Sequence, residues 1–233
     1  MKRSEINHYI EDALEFWSGL NFALPPFARF RPEDWHLHAA ECREIFELQL
    51  GWDVTDFGSG DFLRCGLLLF TIRNGRAGSV EYPKVYAEKI MLVRENQITP
   101  RHFHWHKCED IINRGGGNLV IELYHADPKT GKLIGGDFPL SVDGMMRTMH
   151  SGDKVILTPG ESVTMEHFHA HTFYGEPGSG KVMVGEVSMV NDDTKDNCFI
   201  DGALRFIPIE EDEAPRHLLG CEYHDFLKDK FLS

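Results

Sequence analysis

HFHWHKCE (residues 102–109) and HFHAHTFYGE (residues 167–176) carry the same histidine frame twice, and six of the chain's thirteen histidines fall inside them. In an extended strand successive side chains point to opposite faces. That places His102, His104 and His106 on one face, with Phe103 and Trp105 on the other. It places His167, His169 and His171 together in the same way, against Phe168. A lone buried histidine is ordinarily a satisfied core residue. Two rows of three, each on a single strand face, are hard to explain by packing, and imidazoles converging from two strands are what a mid-row divalent metal needs.

The surroundings of the two stretches are rich in strands. From about residue 60 the runs LRCGLLLFTIRNG, KVYAEKIMLVREN, NLVIELYHAD, DKVILTPG, SVTMEHFHAHTFYG and KVMVGEVSMVND are short, β-rich and separated by Gly, Asn, Asp and Pro. Many strands with turn signals and no intervening helical pattern point to a sandwich or barrel. RNGRAGS (73–79) and HADPKTGKLIGG (125–136) read as turns. GGG at 115–117 reads as a tight strand turn and not a phosphate loop, because a strand pattern follows it and no helix pattern does. The acidic stretch IPIEEDEAPRH (207–217) is expected to be solvated surface.

Ahead of the strands the texture is helical. In SEINHYIEDALEFWSGL, Ile6, Tyr9, Ile10, Ala13, Leu14 and Trp17 recur at three- and four-residue steps, and Ser4 is available as a cap. A second helix is expected after Pro32, in PEDWHLHAAECREIFELQLGW. With no linker between these regions, residues 1–233 read as one domain: a helical extension over 1–55 packed on a β-barrel over about 60–215.

Composition narrows the partners. The net charge of −13, from 37 acidic and 24 basic residues, argues against nucleic acid and anionic membrane surfaces. No apolar run approaches the roughly 20 residues that span a bilayer. MKRSEINHYIEDALEF lacks the uninterrupted apolar stretch of a signal peptide, so a cytoplasmic location is expected. The five cysteines show no CxxC spacing and read as reduced thiols.

His102, His104 and Glu109 form an H-x-H-x4-E spacing that resembles the first cupin motif, and TPGESVTMEHFHAHTFYGE resembles the second. More specifically, TPRHFHWHKCEDIINRGGGNLVIELY, LTPGESVTMEHFHAHTFYGE, VGEVSMVNDDTKDN and RFIPIEEDE resemble the D-lyxose isomerase family. The resemblance implies a cupin double-stranded β-helix, a jelly-roll-like barrel that is mainly β, with the helical N-terminus as an extension. It also implies a manganese-dependent aldose–ketose isomerase of free sugars, D-lyxose/D-xylulose first and D-mannose/D-fructose second. Carried over residue by residue, the implied metal ligands are His102, His104, Glu109 and His171, with His169 the competitor for the last place. Co²⁺, Fe²⁺ and Zn²⁺ are alternatives to Mn²⁺, and a homodimer is the expected assembly.

Isomerisation through an enediol needs a carboxylate to relay the carbon proton. In VGEVS, Glu186 shares a strand face with Ser188, opposite Val187 and Met189. A carboxylate aimed into an apolar barrel needs a partner or a purpose, and Glu186 is read as the relay. Lys107 is read as the cation that stabilises a developing enediolate oxygen. His106, Arg205 and Asp193 are the candidate substrate contacts, with Asp192 and Asp196 in the same polar loop. Two rival readings share the ligand set: a cupin oxygenase holding ferrous iron, and a non-catalytic sugar-binding or metal-sensing cupin.

Overall fold

The structure is a computed structural model that describes residues 1–190, 196–204 and 207–226. Helix α1 (Arg3–Gly19) buries Ile6, Ile10, Ala13, Leu14 and Trp17, the stripe its periodicity predicts. Its N-cap is Lys2 and not the expected Ser4. Ser4 lies one step inside, and its backbone N–H and its hydroxyl both donate to the Asp212 carboxylate, at 2.9 and 2.7 Å. The single second helix expected after Pro32 is instead two short ones, α2 (Pro32–Leu37) and α3 (Arg43–Glu47). A continuous helix would hold Trp35 and Phe46 roughly 16 Å apart along its axis. The turn between α2 and α3 lets their rings meet at 5.5 Å, in an aromatic cluster with Phe30 and Tyr223.

Among the described residues fourteen strands follow: β1 (Gly51–Thr55), β2 (Leu67–Arg73), β3 (Tyr86–Val93), β4 (His102–His104), β5 (Glu109–Gly116), β6 (Leu119–Ala126), β7 (Leu133–Ile134), β8 (Asp137–Val142), β9 (Met145–His150), β10 (Lys154–Leu157), β11 (Ser162–Met165), β12 (His169–Gly175), β13 (Val182–Met189) and β14 (Asn197–Phe199). The first strand lies inside the segment expected to belong to the helical extension. The strands form a large sheet in the order β1-β2-β3-β13-β5-β11-β8-β9 and a small one in the order β10-β6-β12-β4-β14, with β7 added to β6. Every named pairing is antiparallel, as jelly-roll connectivity requires. The two sheets curl around a shared core in the expected cupin arrangement.

That core is built from Leu69, Met91, Val93, Ile111 and Val184 on the large sheet, facing Leu119, Ile121, Leu123 and Phe173 on the small one. The opposite face of β1–β3 is buried as well. Trp52, Val54, Leu68, Phe70, Ile90 and Leu92 pack under α1, and Trp17 stacks on Trp52 at 5.6 Å. Strands buried on both faces read as continuous apolar runs, which accounts for GLLLF and KIMLV. The β5–β6 connection is the tight turn expected of GGG: Gly116 has φ +89°, and a Cβ there would lie 2.3 Å from the Lys181 carbonyl.

The acidic stretch near the C-terminus does more than face solvent. The Arg3 guanidinium, 1% exposed, is gripped by Glu211 and Glu222. Asn7 donates to Glu213 and to the Ala214 carbonyl at 2.6 and 3.0 Å. A buried guanidinium has to be paired, so the acidic residues fasten the start of α1. Among the described residues no helix is long and apolar enough to cross a membrane.

Candidate active site

The candidate site lies where the chain crosses between the sheets. In the small sheet β4 sits between β12 and β14, with His102 directly opposite His171. Their rings are 4.3 Å apart, and His104 lies two residues along on the same face. The chain then leaves β4, crosses over residues 105–108 and enters the large sheet at Glu109. The crossing brings Glu109 Oε1 to 3.2 Å from His104 Nε2 and 3.4 Å from His171 Nε2. Neighbours in the spacing therefore reach the same point from facing sheets.

The donor set fits a divalent transition ion. His102, His104 and His171 each offer a nitrogen within 4.8 Å of the others. His102 Nδ1 lies 3.0 Å from the Pro100 carbonyl and His171 Nδ1 lies 3.1 Å from the His169 carbonyl. A carbonyl only accepts, so each Nδ1 carries the proton and each Nε2 keeps its lone pair for a ligand. Among the described residues both ring nitrogens of His104 and Oε1 of Glu109 are buried without a hydrogen-bond partner. Leaving such groups unsatisfied costs about 1–3 kcal/mol each, and a cation held by His104 Nε2 and Glu109 Oε1 removes that cost for those two atoms. Burial, then the neighbouring imidazoles, holds His102 well below the usual imidazole range; burial first also lowers His171. Both are then neutral near pH 7, as ligands must be.

Behind the histidines lies a charge network. Lys107, 4% exposed, has its Nζ 2.7 Å from Glu109 Oε2 and 2.9 Å from Glu186 Oε1. Glu186 is buried on the inner face of β13 with Ser188, while Val187 and Met189 are exposed, as alternation predicts. A second ammonium, on Lys89, lies 3.2 Å from the same Glu186 oxygen. Burial alone would raise both carboxyls. Lys107 outweighs it for Glu109, helped by His104 and His171, and holds that carboxyl well below the usual range. Lys107 and Lys89 together lower Glu186. Burial would lower the Lys107 ammonium, but Glu109 and Glu186 raise it. Two carboxylates therefore face two lysines, with Glu109, Glu186 and Lys107 held in their charged forms.

These groups line a cleft of about 500 Å³, its open mouth included, with Phe57, Phe173 and Phe199 among the apolar walls.

The remaining candidates distribute as follows. His106 is exposed, because β4 ends at His104 and alternation does not carry past it; it is not among the cleft-lining residues. His167 is exposed in the turn before β12, where Phe168 takes φ +68°. His169 is buried beside Phe138 and His125, and burial pushes it down to about 4; its carbonyl holds His171. Arg205, Asp192 and Asp193 lie outside the described residues. Asp196 instead accepts the backbone N–H groups of His106 and Lys107 at 2.8 and 3.1 Å, pinning the crossing segment. Lys89 is a further site residue that local sequence pattern does not mark, because β3 is buried on both faces.

A family model for D-lyxose isomerase matches residues 1–223. The chain belongs to the D-lyxose isomerase family. It is 49% identical over 228 residues to the D-lyxose/D-mannose isomerase of Serratia proteamaculans, covering 97% of this chain and 100% of that one. It is 48% identical over 227 residues to the Escherichia coli enzyme of the same name, with 97% and 100% covered. Among solved structures, Acinetobacter L-ribose isomerase in complex with L-ribose superposes with a TM-score of 0.58 at 16% identity, over 90% of this chain and 98% of that one. L-ribose isomerase of Cellulomonas parahominis with L-ribose gives 0.56 at 17% identity, over 91% and 97%. The latter two speak to the fold. Membership of the family makes this protein a sugar isomerase, and sets aside the oxygenase and the non-catalytic cupin.

Proposed function

We propose that this family member is a metal-dependent aldose–ketose isomerase of free sugars, interconverting D-lyxose with D-xylulose and D-mannose with D-fructose. The observation that carries the reading is the meeting of two sets of groups in one cleft: the cluster of His102, His104, His171 and Glu109, and beside it Glu186, a buried carboxylate within reach of Lys107 and Lys89. A mid-row divalent ion, manganese first and Co²⁺, Fe²⁺ or Zn²⁺ after it, suits three imidazoles and one carboxylate; bound there, it would polarise the sugar carbonyl and stabilise negative charge on oxygen.

The protein groups do the rest. In the aldose-to-ketose direction Glu186 takes the C2 proton of the open-chain sugar, leaving an enediolate, and returns a proton to C1; the hydroxyl proton on O2 moves to O1. Lys107 sits beside Glu186 and supplies a fixed positive charge for the developing oxyanion. His102 and His171 are held by backbone carbonyls, so their geometry is set before substrate arrives. D-lyxose and D-mannose share configuration from C2 to C4, so a cleft that grips that end and leaves the other toward an open mouth admits both. His106, Arg205 and Asp193 are proposed as substrate contacts.

Two further parts of the reading concern the protein's setting. Strand β9 is an edge strand, with Met145 and Met146 60% and 70% exposed. An unprotected edge is a template for pairing, which supports a homodimer. The five cysteines are free thiols, which supports a reducing, cytoplasmic compartment.

The test is a panel of free aldoses given to chelator-stripped protein before and after manganese is restored. The reading predicts turnover of D-lyxose and D-mannose only with metal. Equal turnover without metal removes the ligand assignment, and none under either condition removes the activity.

A further inference from the structure

Glu186 is held by two ammoniums, and they are not equivalent. Lys107 belongs to the four-residue crossing between the sheets, and its Nζ lies closer to Glu109, at 2.7 Å, than to Glu186, at 2.9 Å. Lys89 sits in the middle of β3, directly opposite Glu186 in the antiparallel register, inside the β3-β13-β5 part of the large sheet. Its inner-face neighbours are Ala87 and Met91, both buried, and Lys89 itself is 5% exposed. An ammonium in such a row is costly unless paired. Met91 and Val93 show what packing alone places on that face. The strand therefore carries a cation where the barrel wall would otherwise be apolar, at the register position that meets Glu186.

We propose that Lys89 is a positioning residue for the isomerisation, fixing the Glu186 carboxylate toward the substrate's C1–C2 pair against the pull of Lys107 and the crossing segment. The proposal rests on the reading of Glu186 as the carrier of the carbon proton. Anchored on a central strand, the Lys89 ammonium keeps Glu186 from following Lys107 toward Glu109. A misplacement of about 1 Å in a reacting group can cost on the order of 100-fold in rate.

The test is a cycle of Lys89→Met, Glu186→Gln and the double variant in metal-loaded protein, with D-lyxose deuterated at C2. For Lys89→Met the expected result is kcat lowered about 10- to 100-fold, KM within about threefold of wild type, metal content unchanged and a larger primary deuterium isotope effect. A residue that merely supports the fold would not raise the isotope effect. Because Lys89 acts through Glu186, the double variant should be no slower than Glu186→Gln alone, within about twofold. Wild-type kcat in Lys89→Met, or losses that multiply in the double variant, would overturn the proposal. Should Lys89→Met fail to fold, Lys89→Arg carries the test: it keeps the charge but displaces it, so kcat should drop at unchanged metal content, and wild-type kcat overturns the idea. Wild-type turnover in Glu186→Gln would instead sink the reading of Glu186; loss there with none in Lys89→Met sinks Lys89 alone.

Discussion

Replacing Lys107 with Met removes the cation that joins two buried carboxylates while keeping most of the stem's volume, so the effect is one of charge and not of a cavity. The Glu109 and Glu186 side chains are 2% and 8% exposed. Without Lys107, Glu186 retains Lys89, but Glu109 loses its 2.7 Å ammonium. Breaking a buried pair by removing one partner typically costs about 3–5 kcal/mol, a large share of a folding stability of about 5–15 kcal/mol. The pH dependence supplies a second signature. In wild type both carboxyls titrate below their ordinary range, so each contributes stability that is present above the unfolded value, about 4.3. That contribution is lost as pH falls through the depressed folded value. In the variant, burial of Glu109 is no longer outweighed by Lys107, its carboxyl rises, and protonation relieves it. The gap between the two proteins is therefore widest near pH 7 and narrows as pH falls through 5 and below. Urea unfolding in the presence of a chelator, at pH 7 and at pH 4.5, measures both. A variant within about 1 kcal/mol of wild type at pH 7, or a gap that does not narrow with acid, would refute the charge-network reasoning.

Other consequences are simpler. Alanine at His102, His104, Glu109 or His171 should abolish stoichiometric metal binding, whereas alanine at His106, His167 or His169 should retain it; metal analysis of the seven purified variants decides this. Arg3→Met should lower stability by about 1–3 kcal/mol in urea unfolding, since Glu211 and Glu222 lose their partner but are partly exposed; kcat at low temperature should be unchanged. Thr148→Pro in β9 should leave the isolated fold intact and convert a dimer to a monomer in light scattering, because proline removes an edge donor.

What the sequence disclosed follows from local alternation. His102 and His104 share a face, Glu186 and Ser188 share another, and two-residue periodicity suffices to see both. It failed where the chain changes sheets: β4 is three residues long because the crossing to Glu109 begins at once, so His106 leaves the face that a longer strand would have given it. Lys89 was hidden for a different reason. Strand β3 is buried on both faces, under α1 and against the core, so no polar alternation marks its inner side. Its pairing with Glu186 is set by a register spanning 97 positions of chain. The grip of the acidic segment on Arg3 spans 208 positions and is equally invisible to local pattern.

The central claim is that Glu186 carries the carbon proton between C2 and C1. It is tested most directly by incubating metal-loaded wild type and Glu186→Gln with D-lyxose in deuterated water and following C2 and C1 by proton NMR. The account predicts that wild type forms D-xylulose with deuterium entering the sugar carbon, and that Glu186→Gln keeps its metal while conversion falls about 10²–10⁴-fold. Conversion by Glu186→Gln at the wild-type rate would contradict it.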